Sequence, residues 1–249
     1  MTRITTFADP EATAERASVE IARAIESARE QRGVAHLALS GGSTPARTYE
    51  LLGGALADWD GVEIWFADER CVPPEDAESN YRLAAETLLR PAGIDPARVH
   101  RMEGELGPDE GASRYADALR AGVAPADATP PTSSPSPVLD LIALGIGPDG
   151  HVASLFPGAP TLDAGDETLC LGVHESPKPP PERITLSLAM LRAAGRCLLL
   201  ATGASKADAV NAMLAQPTPH VPASLLRRER LTVMLDDAAA PAGHAGSPS

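Results

Sequence analysis

A chain of 249 residues, 43% of them hydrophobic, can bury a substantial core in one large α/β domain or two small ones, and is too apolar to be disordered. Its 21 Lys and Arg stand against 34 Asp and Glu, a formal net charge of −13, which argues against nucleic acid or an anionic membrane as the main partner. A small anionic substrate stays compatible with that charge, because a few local cations decide the character of a pocket. No apolar run approaches a membrane span, and the stretch MTRITTFADPEATAERASVE has no signal-peptide apolar region. Cys71, Cys170 and Cys197 are widely spaced and odd in number, which fits a reduced, cytoplasmic protein better than a disulfide framework or a zinc site.

Asp9-Pro10 reads as an N-cap followed by a first-turn proline. Ala14, Ala17, Ile21, Ile25 and Ala28 then keep helical spacing, so the sequence predicts an amphipathic helix over 11–31, closed by Gly33. A strand over 34–39 and a helix over 44–56 follow, then a strand over 62–67. A helix over 79–89 with Ser79 as its cap, a short strand at 99–102 and a helix over 108–119 come next. The segment 124–137, APADATPPTSSPSP, reads as a mobile loop rather than a domain boundary, since both flanks carry the same α/β pattern. Val138 to Leu144, broken only by Asp140, reads as a strand buried on both faces. Strands over 169–173 and 197–201, a helix over 206–214 and a last strand over 231–235 complete the pattern, with a disordered tail over 238–249. This alternation implies a single α/β domain over 1–237 with a mainly parallel, doubly wound sheet.

In such sheets ligands bind outside the carboxyl ends of the strands, and four loops fall there. Ser40-Gly41-Gly42-Ser43-Thr44-Pro45 follows a strand and opens a helix. Gly41 and Gly42 permit close backbone approach and Ser43 and Thr44 offer hydroxyls, an arrangement suited to an anion at a helix N-terminus or, more plainly, to a tight helix start. Asp68-Glu69-Arg70 follows the strand containing Ile64-Trp65-Phe66. Three charges at a strand end are commonly a solvated turn, but at this edge Asp68 can accept hydrogen bonds from sugar hydroxyls and Arg70 can bind an anion. Gly145–His151 contains a literal G-x-G-x-x-G at Gly145, Gly147 and Gly150. The dinucleotide reading fails, because Asp149 would face a pyrophosphate and Pro157 leaves little room for a long helix. His151 is instead a candidate general base, with Asp149 to orient it or to bind substrate. Thr202-Gly203-Ala204-Ser205-Lys206 places a lysine in a first helical turn, where the macrodipole favours anions; a bound phosphate removes that conflict, or the residue is a surface lysine that bears a small penalty. Four loops on one edge describe a pocket for a small phosphorylated, hydroxyl-rich molecule, without fixing the reaction.

The segments LALSGGSTPARTYELL (37–52), WFADERCVPPEDAESNYRLAAETLL (65–89), LGIGPDGHVASLFPG (144–158), SPKPPPERITLSL (176–188) and ATGASKADAV (201–210) closely resemble the family of glucosamine-6-phosphate isomerases and 6-phosphogluconolactonases. The resemblance runs from Leu37 to about Asp236 and implies a Rossmann-like α/β fold with helices on both faces. The lactonase branch implies hydrolysis of 6-phospho-D-glucono-1,5-lactone to 6-phosphogluconate, with no cofactor and no metal. It implies a small phosphorylated sugar lactone as partner, with no nucleic acid or membrane, and a monomer or small homo-oligomer. The deaminase branch carries a glutamate after its histidine, in a segment like FNEPG. Here the segment reads SLFPG, and Phe156 stands in the glutamate's place. Arg70 and the PKPPPERIT stretch are also lactonase-like. On this resemblance Gly41, Gly42, Ser43, Thr44 and Lys206 hold the 6-phosphate, with Arg183 a further cation at the rim. His151 activates water, Arg70 stabilises negative charge or positions hydroxyls, and Asp68 and Asp149 orient substrate or histidine. A non-catalytic sugar-phosphate sensor is the reading from another class, since fold does not dictate function.

Overall fold

The computed structural model describes residues 2–123 and 137–241. The loop expected at 124–137 therefore lies outside the described residues except for Pro137, and the tail from 242 onward lies outside them as well. The first elements are β1 (Arg3–Phe7), α1 (Pro10–Arg32), β2 (Ala35–Leu39), α2 (Ser43–Leu52) and β3 (Val62–Phe66). The cap read from Asp9 forms: its side chain accepts from the Ala12 amide at 2.8 Å, and Gly33 ends α1 in the left-handed region at φ 76°. The apolar stripe Ala14, Ala17, Ile21, Ile25 and Ala28 is buried along α1. Every residue of β2 is buried, as a central strand covered on both faces requires. α2 stops at Leu52, four residues before the expected end, because Gly53 and Gly54 follow.

β4 (Asp68–Arg70), α3 (Asn80–Ala84), α4 (Pro108–Gly122), β5 (Leu141–Gly145), β6 (Cys170–Val173) and β7 (Arg183–Leu186) follow, then α5 (Leu188–Ala193), β8 (Arg196–Ala201), α6 (Ala207–Leu214) and β9 (Leu231–Asp236). Six strands form one sheet in the order β1-β9-β8-β5-β2-β3, and all its pairings are parallel. Successive connections leave β2 toward β3 on one side and β5 toward β8 on the other. The switch point of the winding is thus between β2 and β5, where their carboxyl-end loops part and leave a crevice.

Four expectations are corrected. Asp68–Arg70 is a strand, not a loop: β4 leaves the main sheet and pairs antiparallel with β7, which pairs with β6 in a separate three-stranded sheet. Ala67 is the joint, its amide donating to Leu39 O at 2.8 Å in the main sheet while its carbonyl accepts from Leu186 N at 2.8 Å in the small one. Residues 99–102 form no strand; only Val99 bridges to Ile64. The helix after Ser79 is α-helical only to Ala84 and continues as a π-turn over Ala85–Leu89. The chain also stays ordered past residue 237, where Ala239 is fully buried and donates to Asp236 Oδ1 at 2.8 Å. Three elements, β1, β7 and α5, have no counterpart in the sequence reading; of these, β7 contributes Arg183 to the site.

Among the described residues no helix is long and apolar enough to cross a membrane. Cys170 and Cys197 are buried and Cys71 half-buried; all three are unbridged, and burial pushes each thiol up to about 12, so none is poised as a nucleophile.

Candidate active site

The crevice beside the switch point opens into a cavity of about 320 Å³. The loop after β2 forms one side. Gly42, at φ 115°, is the N-cap of α2 and no side chain caps that helix, so its first amides are left without a side-chain acceptor. Gly41 is required by a close approach: a Cβ there would meet Asn80 Oδ1 at 1.9 Å. Thr44 Oγ1 lies 2.7 Å from Thr202 Oγ1, tying this loop to the one after β8. Lys206 ends a 3-10 turn over Ala204–Lys206 and is itself the N-cap of α6. Burial lowers the pKa of its ammonium, Lys178 lowers it further, and Asp149 opposes the shift.

The small sheet supplies the opposite wall. In the β4–β7 register Arg70 is directly opposite Arg183, and Asp68 opposite Thr185. Two guanidiniums at opposed positions repel one another, an arrangement expected where an anion is to be received. Arg183 is not at the rim, as expected from sequence, but 4% exposed within the wall. It donates to the carbonyls of Lys178, Pro179 and Pro180 at 3.0–3.2 Å and lies 5.6 Å above the Phe156 ring. Arg70 donates to the Glu78 carbonyl, but its buried Nε has no partner among the described residues. Ser40 Oγ, also on this cavity, is likewise buried and unpartnered. Buried donors without acceptors are costly, so the wall holds two polar groups at the expense of stability.

Asp68 is buried and held in place rather than free to swing. Its Oδ2 accepts from Ser154 Oγ at 2.7 Å and its Oδ1 from Asn80 Nδ2 at 3.2 Å. Glu69, the middle member of the triad, points away from the ligand space and organises the following turn. Its carboxylate accepts from the amides of Arg70, Asn80 and Tyr81 at 2.7 Å each and from Ser79 Oγ at 3.0 Å. Burial raises its pKa while these donors pull it down.

His151 lines the cavity and Asp149 does not. Asp149 Oδ1 lies 2.6 Å from His151 Nδ1, so the carboxylate holds the Nδ1 proton and leaves Nε2 as the basic nitrogen. Gly147 makes room for the pair, since a Cβ there would sit 1.9 Å from His151 Nδ1. The Phe156 ring stands 4.8 Å from the imidazole, centroid to centroid. Burial lowers the His151 pKa below its ordinary value, with Asp149 acting against that shift. The imidazole is therefore neutral near pH 7, the state a general base requires. Asp149 is held below the usual carboxylate range by the hydrogen bond from His151 and by the charges of His151 and Lys178, which outweigh a contrary desolvation.

The fold thus gathers Gly41, Gly42, Ser43, Thr44, Asp68, Arg70, His151, Arg183 and Lys206 around one cavity, with Asp149 behind the histidine. Asn80 and Lys178, to which the sequence assigned no role, also line it, as does Ser40, the first residue of the loop after β2. Lys178 had one signal, a cation set among the prolines of PKPPP; Asn80 had none beyond its place after a helix cap. Among the described residues no group of three or more His, Cys, Asp and Glu is arranged to hold a metal.

A model of the family described as glucosamine-6-phosphate isomerases/6-phosphogluconolactonase matches residues 8–235. The chain is 38% identical over 243 residues to the 6-phosphogluconolactonase of Streptomyces coelicolor, which covers 93% of this chain and 91% of that relative. Its structure is similar to that of 6-phosphogluconolactonase from Leishmania guyanensis, with a TM-score of 0.84, 29% identity and coverage of 98% and 100% of the two chains. A monomeric glucosamine-6-phosphate deaminase shares the fold at a TM-score of 0.76 and 20% identity, over 96% of this chain and 98% of that one.

Proposed function

The chain belongs to the glucosamine-6-phosphate isomerase/6-phosphogluconolactonase family, and we propose that within it this protein is an ester hydrolase that opens 6-phospho-D-glucono-1,5-lactone to 6-phosphogluconate. The observation that carries the choice between branches is the neighbour of His151. Ring opening and deamination of an amino sugar call for a second proton-transferring group beside the histidine. Here that neighbour is the Phe156 ring, which transfers no proton. Lactone hydrolysis needs one base, one acid step and charge stabilisation, and one histidine serves both proton transfers in turn.

In this reading the 6-phosphate rests on the uncapped N-terminus of α2, against Gly41–Thr44, with Lys206 as counter-charge. The lactone carbonyl lies toward Arg70, whose guanidinium charge stabilises the oxyanion, while Asp68 accepts from ring hydroxyls and Asn80 holds Asp68 in place. Arg183 holds the Lys178–Pro180 strap and adds positive potential behind Arg70. His151 Nε2 takes a proton from water as its oxygen attacks C1. The tetrahedral intermediate then expels the ring oxygen, which receives that proton from His151. No covalent intermediate on the protein is required; Ser154 is fully buried and donates to Asp68, so it is no nucleophile. The unbridged thiols suit a reducing, cytoplasmic setting, and a monomer or small homo-oligomer fits a cavity whose lining among the described residues comes from one chain.

Freshly made lactone, assayed at mildly acidic pH where it opens slowly unaided, tests the reading. Wild type is expected to hydrolyse it rapidly and to release no ammonia from glucosamine 6-phosphate. His151→Ala should lower kcat by about 10²–10⁴-fold. Ammonia without lactone opening would move the chain to the deaminase branch, and tight binding without turnover of either would make it a sensor.

A further inference from the structure

The strap between β6 and β7 carries a lysine that the mechanism above leaves unused. Lys178 is pinned through its backbone: its carbonyl accepts from Ser176 Oγ at 2.8 Å and from Arg183 Nη2 at 3.2 Å, and its amide donates to Ser176 Oγ at 3.2 Å. From that anchored position its Nζ reaches 3.3 Å from Asp149 Oδ2 and 3.5 Å from His151 Nδ1. The Nδ1 proton is already committed to Asp149 Oδ1, so the approach to the ring is that of a positive charge rather than a hydrogen bond. Asp149 is therefore bridged, one oxygen on the imidazole and the other on the ammonium.

A carboxylate beside a catalytic histidine has two effects. It fixes the tautomer, and it stabilises the imidazolium, which removes the base as the medium becomes acidic. An ammonium on the second oxygen offsets that stabilisation and leaves the orientation intact. We propose that Lys178 is a positioning residue that balances the charge of the Asp149–His151 pair, keeping His151 an unprotonated base into mildly acidic conditions. The inference rests on His151 being the base. Among the described residues, the charged groups around the ring are Asp149 on its own loop, Lys178 on the strap and Asp68 on β4; Lys178 and Asp149 in turn act on Lys206 at the start of α6. Asp149 and Asp68 favour the imidazolium, and Lys178 disfavours it. The setting matches the chemistry of a lactone, whose unaided opening slows as pH falls, so that catalysis matters most where an ordinary histidine begins to protonate.

Lys178→Met and Lys178→Arg, each as the full chain, test this. The His151 ring is followed by NMR titration in the substrate-free protein, and kcat/KM for the lactone is measured against pH. Lys178→Met is expected to raise the His151 pKa and the acid limb of kcat/KM together, by about 0.5–1 pH unit. Lys178→Arg should restore both. An unmoved titration in Lys178→Met overturns the proposal. A raised KM with an unmoved acid limb also overturns it, making Lys178 a phosphate ligand instead. The titration decides the charge coupling whatever the substrate, whereas a wild type that opens no lactone would sink the functional reading alone.

Discussion

Asp149 touches His151 but not the cavity, and this separates its effect on rate from any effect on binding. Asp149→Asn keeps the shape and removes the acceptor that holds the Nδ1 proton. An amide donating to Nδ1 would place the proton on Nε2, the nitrogen that accepts one from water in the proposed reaction. The expected result is a fall in kcat of about 10²-fold or more with little change in KM. Steady-state kinetics on the lactone check it, and near-wild-type kcat would show that the histidine needs no orientation. The same geometry explains why Gly147 is glycine. A methyl group 1.9 Å from Nδ1 would drive the ring from the carboxylate, so even alanine at this position disturbs the pair.

At the scale of elements, β4 and the turn leading to α3 are fastened by one buried carboxylate. Glu69 gathers three backbone amides and the Ser79 hydroxyl, while Ser79 caps α3 by accepting from Arg82 N at 3.1 Å. The latch positions three cavity residues at once: Asp68 and Arg70 flank it in sequence, and Asn80 is one of its donors. Glu69→Gln replaces an acceptor oxygen with an amide facing other N–H groups, which leaves buried donors unsatisfied. The variant should lose about 1–3 kcal/mol of stability and bind the lactone more weakly. Urea unfolding with parallel measurement of KM examines both; unchanged stability would mean that the turn holds without its latch.

Across the whole molecule, the edge of the main sheet away from the cavity holds a second histidine network. His36 on β2 is buried, and its Nδ1 accepts from Trp65 Nε1 at 3.1 Å. Trp65 stacks on His100 at 4.0 Å, and His100 Nε2 meets Glu63 Oε2 at 2.8 Å. Burial lowers the His36 pKa below 6.5, and protonating Nδ1 would break the bond from Trp65. In the unfolded chain His36 titrates normally, so below its ordinary pKa the unfolded state binds the extra proton. The stabilisation from a neutral His36 is thus complete above that pKa and is lost as pH falls below 6.5 toward the folded-state value. His36→Gln retains an acceptor for Trp65 and does not titrate. Wild type should lose stability relative to this variant as pH is lowered from about 7 to 5. Urea midpoints that stay a constant distance apart over that range would remove His36 from the acid sensitivity of the fold.

Much of this protein is written locally. The cap at Asp9, the stop at Gly33, the buried runs of β2 and β5 and the glycine-rich turns after them follow from dihedral freedom, hydrogen-bond satisfaction and hydrophobic period, which act within a few residues. The pairing of His151 with Asp149 was legible for the same reason, since the two are two residues apart on one turn. Only the tertiary structure decided the rest, because those features depend on contacts between distant segments. β4 is three charged residues, a turn by any local criterion, and becomes a strand because β7 lies beside it. The same pairing sets Arg70 against Arg183 and carries Lys178 from a proline-rich strap to the Asp149 carboxylate. Asn80 reaches Asp68 only because Glu69 folds the intervening turn back on itself. The sequence determined the fold class and the turn that carries His151; long-range packing determined which charges surround that histidine, since electrostatic interaction depends on distance in space and not along the chain.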